Sequence, residues 1–418
     1  MANRAPNRRV TMTAANRHHY FPGTELSILD QASSRHFNRL LYCFPLPSNL
    51  GNNATEVLVN DFRVATDQII DKWPFLASRI RLSQPEEPAG EVELFWDMDQ
   101  MPLDCDRHRW FSTKDVLLFK RVNQWGERRA PKYQDLVVRG VPPSMLREYG
   151  SWHVPHATGL QDHQGQPVYQ ITVTFVRGGL MLGVCYANSV LDSYAHAIVF
   201  EELARQVRDP KERVQTKHPS VEALYERHRV IQGTWRPGVT IELGHTLAAW
   251  IWVSIVRARG RRDTWRTHLA YSVDVRNQLW IPDDEMYLRN TTLYNRVPMA
   301  SSTVFQGGNS LAPDKVVEHA ARAIHLEAQK FNPDAVHRRL GYMATICQDP
   351  GSLKYDVNTV EKNDVIIDSL IAAGGEADFG SVPVGRSMIE LGQPRFLEED
   401  AMARLTTGLR AVGVHCAM

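Results

Sequence analysis

The chain has 418 residues, 43% of them hydrophobic and 23% charged, an ordinary balance for a globular protein with more than one core. A formal net charge of +1 leaves no electrostatic footprint for nucleic acid or an anionic membrane surface, so neither is expected as a partner. Five scattered cysteines (Cys43, Cys105, Cys185, Cys347, Cys416) argue against a disulfide framework and a zinc site, so no metal is expected. The basic N-terminus lacks the apolar core of a signal peptide, and no apolar run approaches the length of a spanning helix. A cytoplasmic protein is therefore expected.

In chain order, Leu26 to Gln31 opens the first segment, with Asp30 a possible cap for a short helix, and Leu40 to Pro45 reads as a strand stopped by proline. Val57, Leu58, Phe62, Ala65, Ile69 and Ile70 recur near a 3.6 period, predicting an amphipathic helix that ends before Pro74. Ile80 and Leu82, then Val92, Leu94 and Trp96, predict strands around a Pro85–Gly90 turn. Val168 to Val176 and Leu180 to Tyr186 predict a hairpin closed at Arg177-Gly178-Gly179, and Leu191 to Val207 a helix. Leu243 to Arg259 is a second strong helix, Leu269 to Val275 a strand, Pro313 to Lys330 a helix, and Val365 to Ala372 a buried strand. The predicted organisation is an N-terminal lobe over 1–210, a linker over 211–240 rich in polar and turn residues, and a C-terminal lobe over 241–418.

Leu180 to Ala187 runs into Asn188-Ser189-Val190-Leu191-Asp192. With histidine at position 188 this would be the H-x-x-x-D signature of acyl-CoA-dependent transferases. Other pieces stand in register. Leu26-Ser27-Ile28-Leu29-Asp30 matches L-S-x-L-D, and Pro74-Phe75-Leu76-Ala77-Ser78-Arg79 is similar to P-x-L-A-G-R. Ser272-Val273-Asp274-Val275-Arg276 carries V-D-x-R, Arg289-Asn290-Thr291 a Gly-Asn-like element, and Ala377-Asp378-Phe379-Gly380 the first half of D-F-G-W-G. In this order the pieces resemble the BAHD acyltransferases, and within them the fungal branch similar to trichothecene 3-O-acetyltransferases.

The resemblance implies an α/β fold of two chloramphenicol-acetyltransferase-like lobes with a tunnel at their interface, where the family's histidine meets acyl-CoA and acceptor. Three departures from the pattern stand out: Asn188 for the histidine, Ser193 for the glycine after the aspartate, and Ser381-Val382 for Trp-Gly. The resemblance gives Asp192 a structural ion pair with Arg276 and makes Asp378 structural at the site. It sets Ser369, Leu370 and Ser193 beside the tunnel, where the pantetheine arm of acyl-CoA would run. Tyr186 shares the face of Asn188 if the strand extends that far, so its phenol is either a substrate-orienting group or a core residue. His196 is either a displaced base or a packing or surface residue. His153 and His156 flank Pro155 without a carboxylate companion, so they do not suggest a metal site.

A general base contributes about 10²–10⁴-fold to proton removal in acyl transfer, and an amide cannot serve as one at neutral pH. Asn188 can still polarise a carbonyl by donating a hydrogen bond. The first expectation is therefore a natural-product enzyme, needing no cofactor, that promotes cyclisation or rearrangement of a hydrophobic intermediate. A pericyclic, Diels–Alder-type closure is its sharpest form; the ten tryptophans read mostly as core, and an aromatic-rich tunnel would suit a bulky apolar ligand. The alternative is an acyl-CoA-dependent O- or N-acyltransferase with a relocated base; a second alternative is a non-catalytic small-molecule binder. The family resemblance implies a monomer.

Overall fold

The computed structural model describes residues 26–47, 52–83, 91–95, 111–113, 132–138, 160, 165–209, 242–262, 265–279, 288–308, 310, 312–345, 357–359, 363–368, 377, 379 and 387–390. Ser369, Leu370, Asp378, His153, His156 and the 211–240 linker lie outside the described residues.

Helix α1 (Ile28–Ala32) is opened by Ser27, whose hydroxyl accepts from Asp30 N while the Asp30 carboxylate accepts the Ser27 N–H. Ser27 is thus the cap, and Asp30 is the third residue of a capping box rather than the cap expected from sequence. Strand β1 (Phe37–Pro45) begins three residues before the apolar run at Leu40. Helix α2 (Asn52–Lys72) stops before Pro74, followed by β2 (Arg79–Leu82), β3 (Val92–Phe95) and the short β4 (Phe111–Thr113). Then come β5 (Gln166–Pro167), β6 (Tyr169–Val176), β7 (Gly179–Ala187) and α3 (Ser193–Arg208). The second half contains α4 (Glu242–Arg259), β8 (Arg266–Asp274), β9 (Thr292–Ala300), α5 (Asp314–Ala328), α6 (Pro333–Thr345), β10 (Val365–Ile367) and β11 (Ser387–Glu390).

The first sheet has the order β11-β1-β7-β6-β4, with β1 and β6 antiparallel to β7 on either side. All nine residues of β7 are buried, which is why its sequence runs apolar without polar alternation. A two-residue turn at Arg177-Gly178 joins β6 to β7, and Gly178 takes φ 83°, a conformation that costs a side-chain-bearing residue energy. Helices α2 and α3 pack with this sheet in one apolar core. The second sheet, β10-β8-β9, pairs β10 parallel to β8 and shares a separate core with α4 and α5. Trp252 anchors that core, fully buried, with its indole N–H donating to Thr267 Oγ1 at 3.0 Å.

The two lobes exchange chain. Strand β11 returns from the C-terminal half to pair with β1, and Phe379 packs in the first core against Phe44, Phe62 and Phe200. In the other direction, Leu29 and Ala32 of α1 join a cluster with Val336, Leu340 and Met343 of α6. A cut at the linker therefore does not separate two self-contained lobes, because Phe379 completes the first core and α1 shares a further cluster with α6. The fully buried Asp30 carboxylate seals the junction, accepting from Arg289 Nη1 at 3.2 Å and Asn290 N at 3.2 Å. Burial lifts the Asp30 carboxyl above its ordinary value, against the opposing pull of the Arg289 charge.

Candidate functional site

Strand β7 ends at Ala187, where a tight turn follows: the N–H groups of Val190 and Leu191 both donate to Ala187 O. Asp192 caps α3, its Oδ1 accepting from Ala195 N at 2.9 Å. The same oxygen accepts from Arg276 Nη2 at 2.8 Å, and Oδ2 accepts from Thr291 N at 3.0 Å, while the Thr291 hydroxyl donates to Asp274 Oδ1 at 2.7 Å. Arg276 also donates to Asp274 Oδ2 and to Arg289 O, both at 2.8 Å, with its guanidinium over the Tyr194 ring. Burial acts to lower the Arg276 pKa, but Asp192 and Asp274 outweigh it and the net shift is upward. The buried Asp192 carboxylate fastens α3 to the second lobe through both of its oxygens.

Asn188 sits in the turn, with its backbone held at both ends. Its N–H donates to His36 O at 3.0 Å, and its carbonyl accepts from Asn290 Nδ2 across the lobe junction at 2.8 Å. Its side-chain Oδ1 accepts from Asn38 Nδ2 at 3.0 Å. Among the described residues, Asn188 Nδ2 has no hydrogen-bond partner. Asn38 is itself held: its Oδ1 lies 3.0 Å from His36 Nε2, and His36 Nδ1 lies 2.5 Å from Ser34 Oγ. Since Asn38 gives its N–H to Asn188, its oxygen must be the acceptor and His36 Nε2 the donor. In the neutral ring Nδ1 then accepts from the Ser34 hydroxyl.

These groups line a cavity of about 50 Å³ between the lobes. Ser33, His36, Asn38, Asn188, Asp192 and Ser193 come from the first lobe; Ser272, Asn290, Thr292, Tyr294 and Asp368 come from the second. The Tyr294 hydroxyl donates to both Asp368 oxygens, at 2.6 and 2.8 Å. Drug-sized pockets run to about 300–1,000 Å³, so this volume suits the reacting group of a guest rather than its whole frame. Every described lining residue is polar. Trp252 is locked in the second core and Trp265 is 91% exposed, and neither lines this cavity. The described lining also offers no lysine or arginine to hold the phosphates of coenzyme A, and it includes two carboxylates.

Of the residues singled out from sequence, Asn188, Asp192 and Ser193 meet at this cavity, with Arg276 behind Asp192. Ser369, Leu370 and Asp378 lie outside the described residues, although Asp368 beside Ser369 lines the cavity. Tyr186 does not reach it. The phenol is fully buried and stacks on the His196 ring at 4.4 Å, because α3 covers the strand at that point and only the turn after Ala187 carries Asn188 beyond the helix. His196 is neither at the surface nor a displaced base. It is sealed between the Tyr42 and Tyr169 hydroxyls at 2.9 and 3.2 Å, and burial pushes its pKa down to about 3. His36, Asn38, Asn290, Tyr294 and Asp368 were not anticipated. The alternation Ser34-x-His36-x-Asn38 ahead of the apolar run was a signal that β1 starts early and carries polar groups to the cavity.

No known family profile matches the sequence, and no curated protein does. Solved structures do match. F. sporotrichioides TRI101, complexed with coenzyme A and T-2, superposes with a TM-score of 0.67 at 16% identity over 93% of this chain and 98% of that one. F. graminearum TRI101, complexed with coenzyme A and T-2 mycotoxin, gives 0.65 at 15% over the same shares. Vinorine synthase gives 0.58 at 12%, over 95% and 97%. These are BAHD acyltransferases. The likeness shows that this chain has their two-lobed fold, in agreement with the resemblance read from its motifs.

Proposed function

We propose that this protein is an enzyme of natural-product metabolism that binds a carbonyl-bearing intermediate at the lobe junction and promotes its cyclisation or rearrangement without acyl-CoA. The observation that carries this reading is the orientation of Asn188. Asn38 occupies its oxygen, which leaves the amide N–H groups for a guest oxygen in the cavity. A hydrogen bond to a carbonyl withdraws electron density and stabilises charge that builds on oxygen as bonds reorganise. Holding a flexible chain in a near-attack conformer supplies the rest, and neither contribution needs a base. The polar lining refines the expected substrate: its oxygenated end belongs here, whatever the character of its remaining frame. Among the described residues no helix is long and apolar enough to cross a membrane. The reading takes the protein as a monomer of the cytoplasm, without metal or cofactor.

One observation favours acyl transfer instead: the His36 imidazole lines the same cavity as Asn188 and could act as a relocated base. Both of its ring nitrogens are engaged by neighbours, so it would first have to release Asn38 or Ser34. Purified wild type, Asn188→Ala and Asn188→His, given acetyl-CoA and deoxynivalenol, separate the two readings by thiol release. Cyclisation predicts no release above buffer from the wild type, and robust acetyl transfer by the wild type overturns it. With polyunsaturated carbonyl compounds, mass spectrometry should find a product isomeric with its substrate. Its formation should slow by about 5- to 150-fold in Asn188→Ala, the worth of one activating hydrogen bond.

A further inference from the structure

An asparagine side chain presents either a donor or an acceptor after a half-turn of its amide, at almost no steric cost, so the proposed activity needs something that fixes the orientation of Asn188. We propose that Ser34, His36 and Asn38 form a relay that sets this polarity, with His36 as the positioning residue; the inference rests on the reading of Asn188 as a hydrogen-bond donor. The register supports it. Asn38 is paired with Tyr186 and Phe37 with Ala187, so His36 falls opposite Asn188, and the Asn188 N–H donates to His36 O at 3.0 Å. Residues 34, 36 and 38 alternate along this segment, and their side chains run from exposed Ser34 to buried Asn38.

The relay has two self-consistent directions. In the first, Ser34 donates to His36 Nδ1, His36 Nε2–H to Asn38 Oδ1 and Asn38 Nδ2 to Asn188 Oδ1, so that Asn188 turns its N–H groups to the cavity. In the second, the ring proton sits on Nδ1 and donates to Ser34, leaving Nε2 to accept from Asn38. Asn38 must then turn its oxygen to Asn188, which gives up its own N–H and presents its carbonyl to the guest. Protonation of the ring makes both nitrogens donors and permits only the first direction at Asn38. The imidazole is the one member whose protonation decides the direction. The titratable groups that share the cavity with this ring are Asp192, held by Arg276, Asp368, and Tyr294, bound to Asp368. Arg35 and Arg39 flank it on its own segment.

The test is nuclear magnetic resonance on the full chain, labelled with ¹⁵N in asparagine and histidine, the Asn188 side-chain resonance being assigned by its loss in Asn188→Ala. Protonation charges the Nε2–H donor and polarises the relay without reversing it, so the relay predicts that the wild-type Asn188 amide signals move with pH at the same midpoint as the His36 ring. In Asn38→Ala the Asn188 signals no longer follow those of the His36 ring. In His36→Lys, whose ammonium can only donate toward Asn38, the Asn188 signals stay near their low-pH wild-type position at every pH. Asn188 signals indifferent to His36 in the wild type would overturn the inference whether or not either variant folds, as would tracking that survives in Asn38→Ala. None of these readouts depends on turnover, so failure of the relay and failure of the proposed reaction are separate results.

Discussion

Two imidazoles flank the end of β7 in opposite surroundings. His196 lies under α3 in an aromatic cluster with Tyr42, Tyr169, Tyr186 and Phe200, without solvent exposure. His36 lies beyond the first turn of that helix, half-buried, among hydroxyls and amides at a cavity. The sequence positions alone favour His196, which stands one helical turn from Asp192 and near the expected site. Burial reverses the ranking: a ring held near a pKa of about 3 stays neutral at physiological pH and has no access to the cavity, while His36 lines it. What divides the two regions is the start of α3, and that start is fastened by Asp192.

The largest expected effect therefore comes from breaking the divider. Asp192→Ala takes from Arg276, with a side chain only 12% exposed, its buried partner while Asp274 and Arg289 O remain, uncaps α3 and strips Thr291 N of its acceptor. The lost cap costs about 0.5–2 kcal/mol and each buried donor left without its acceptor about 1–3 kcal/mol, which urea denaturation should register as a lower midpoint. If the loss is under about 1 kcal/mol, the carboxylate does not fasten the helix and the contrast between the two regions has another origin.

Next in size is the sealed side. His196→Phe keeps the ring but leaves the Tyr42 and Tyr169 hydroxyls without their imidazole partner, at about 1–3 kcal/mol for each buried group left unsatisfied. The same variant carries a pH signature. The unfolded chain takes a proton on histidine below about pH 6.5, whereas the folded protein refuses it until about 3. Wild-type stability should thus fall by about 1.4 kcal/mol per pH unit between those values on account of this one residue. Denaturation midpoints measured from pH 7 to 4 should show a shallower acid loss in His196→Phe; parallel curves would mean that His196 is protonated in the folded state.

The same contrast governs what could be read from the chain. The apolar run from Leu180 to Tyr186 identified a buried strand, and Gly178 marked the turn before it, because burial and positive φ leave direct marks on residue type. The Asp192–Arg276 pair was anticipated from the V-D-x-R resemblance rather than from spacing, since nothing local brings position 276 to position 192. The polar start of β1 was missed because strand periodicity was judged from apolar residues, and Ser34, His36 and Asn38 alternate without them. Helix α6 carried a legible start that was passed over: Asn332 accepts from Ala335 N, ahead of Pro333 at the first helical position. The return of β11 to β1 is a non-local pairing with no local sequence mark at all.

On the polar side the effects on folding should be small. Asn38→Ala removes a buried amide bonded to both His36 and Asn188, at about 0.5–1.5 kcal/mol for each lost bond. A thermal melt would check it, and a loss as large as that of Asp192→Ala would make the polar patch structural rather than functional.

Asn188→Ala should be the mildest of all for stability and the most telling. The two hydrogen bonds that hold residue 188 across the strand pair and across the lobes use its backbone N–H and C=O, and both survive the substitution. Only the side-chain bond from Asn38 is lost, and that donor faces a cavity where water can replace the missing oxygen. The melting temperature should therefore stay within a few degrees of the wild type, since about 1 kcal/mol moves a chain of this size by no more than that. A residue that contributes so little to folding, yet is held by its backbone at both ends with its amide nitrogen turned to a cavity, is placed for a guest. A large destabilisation on its removal would instead make Asn188 a structural plug at the end of β7, and the proposed carbonyl-polarising role would lose its footing.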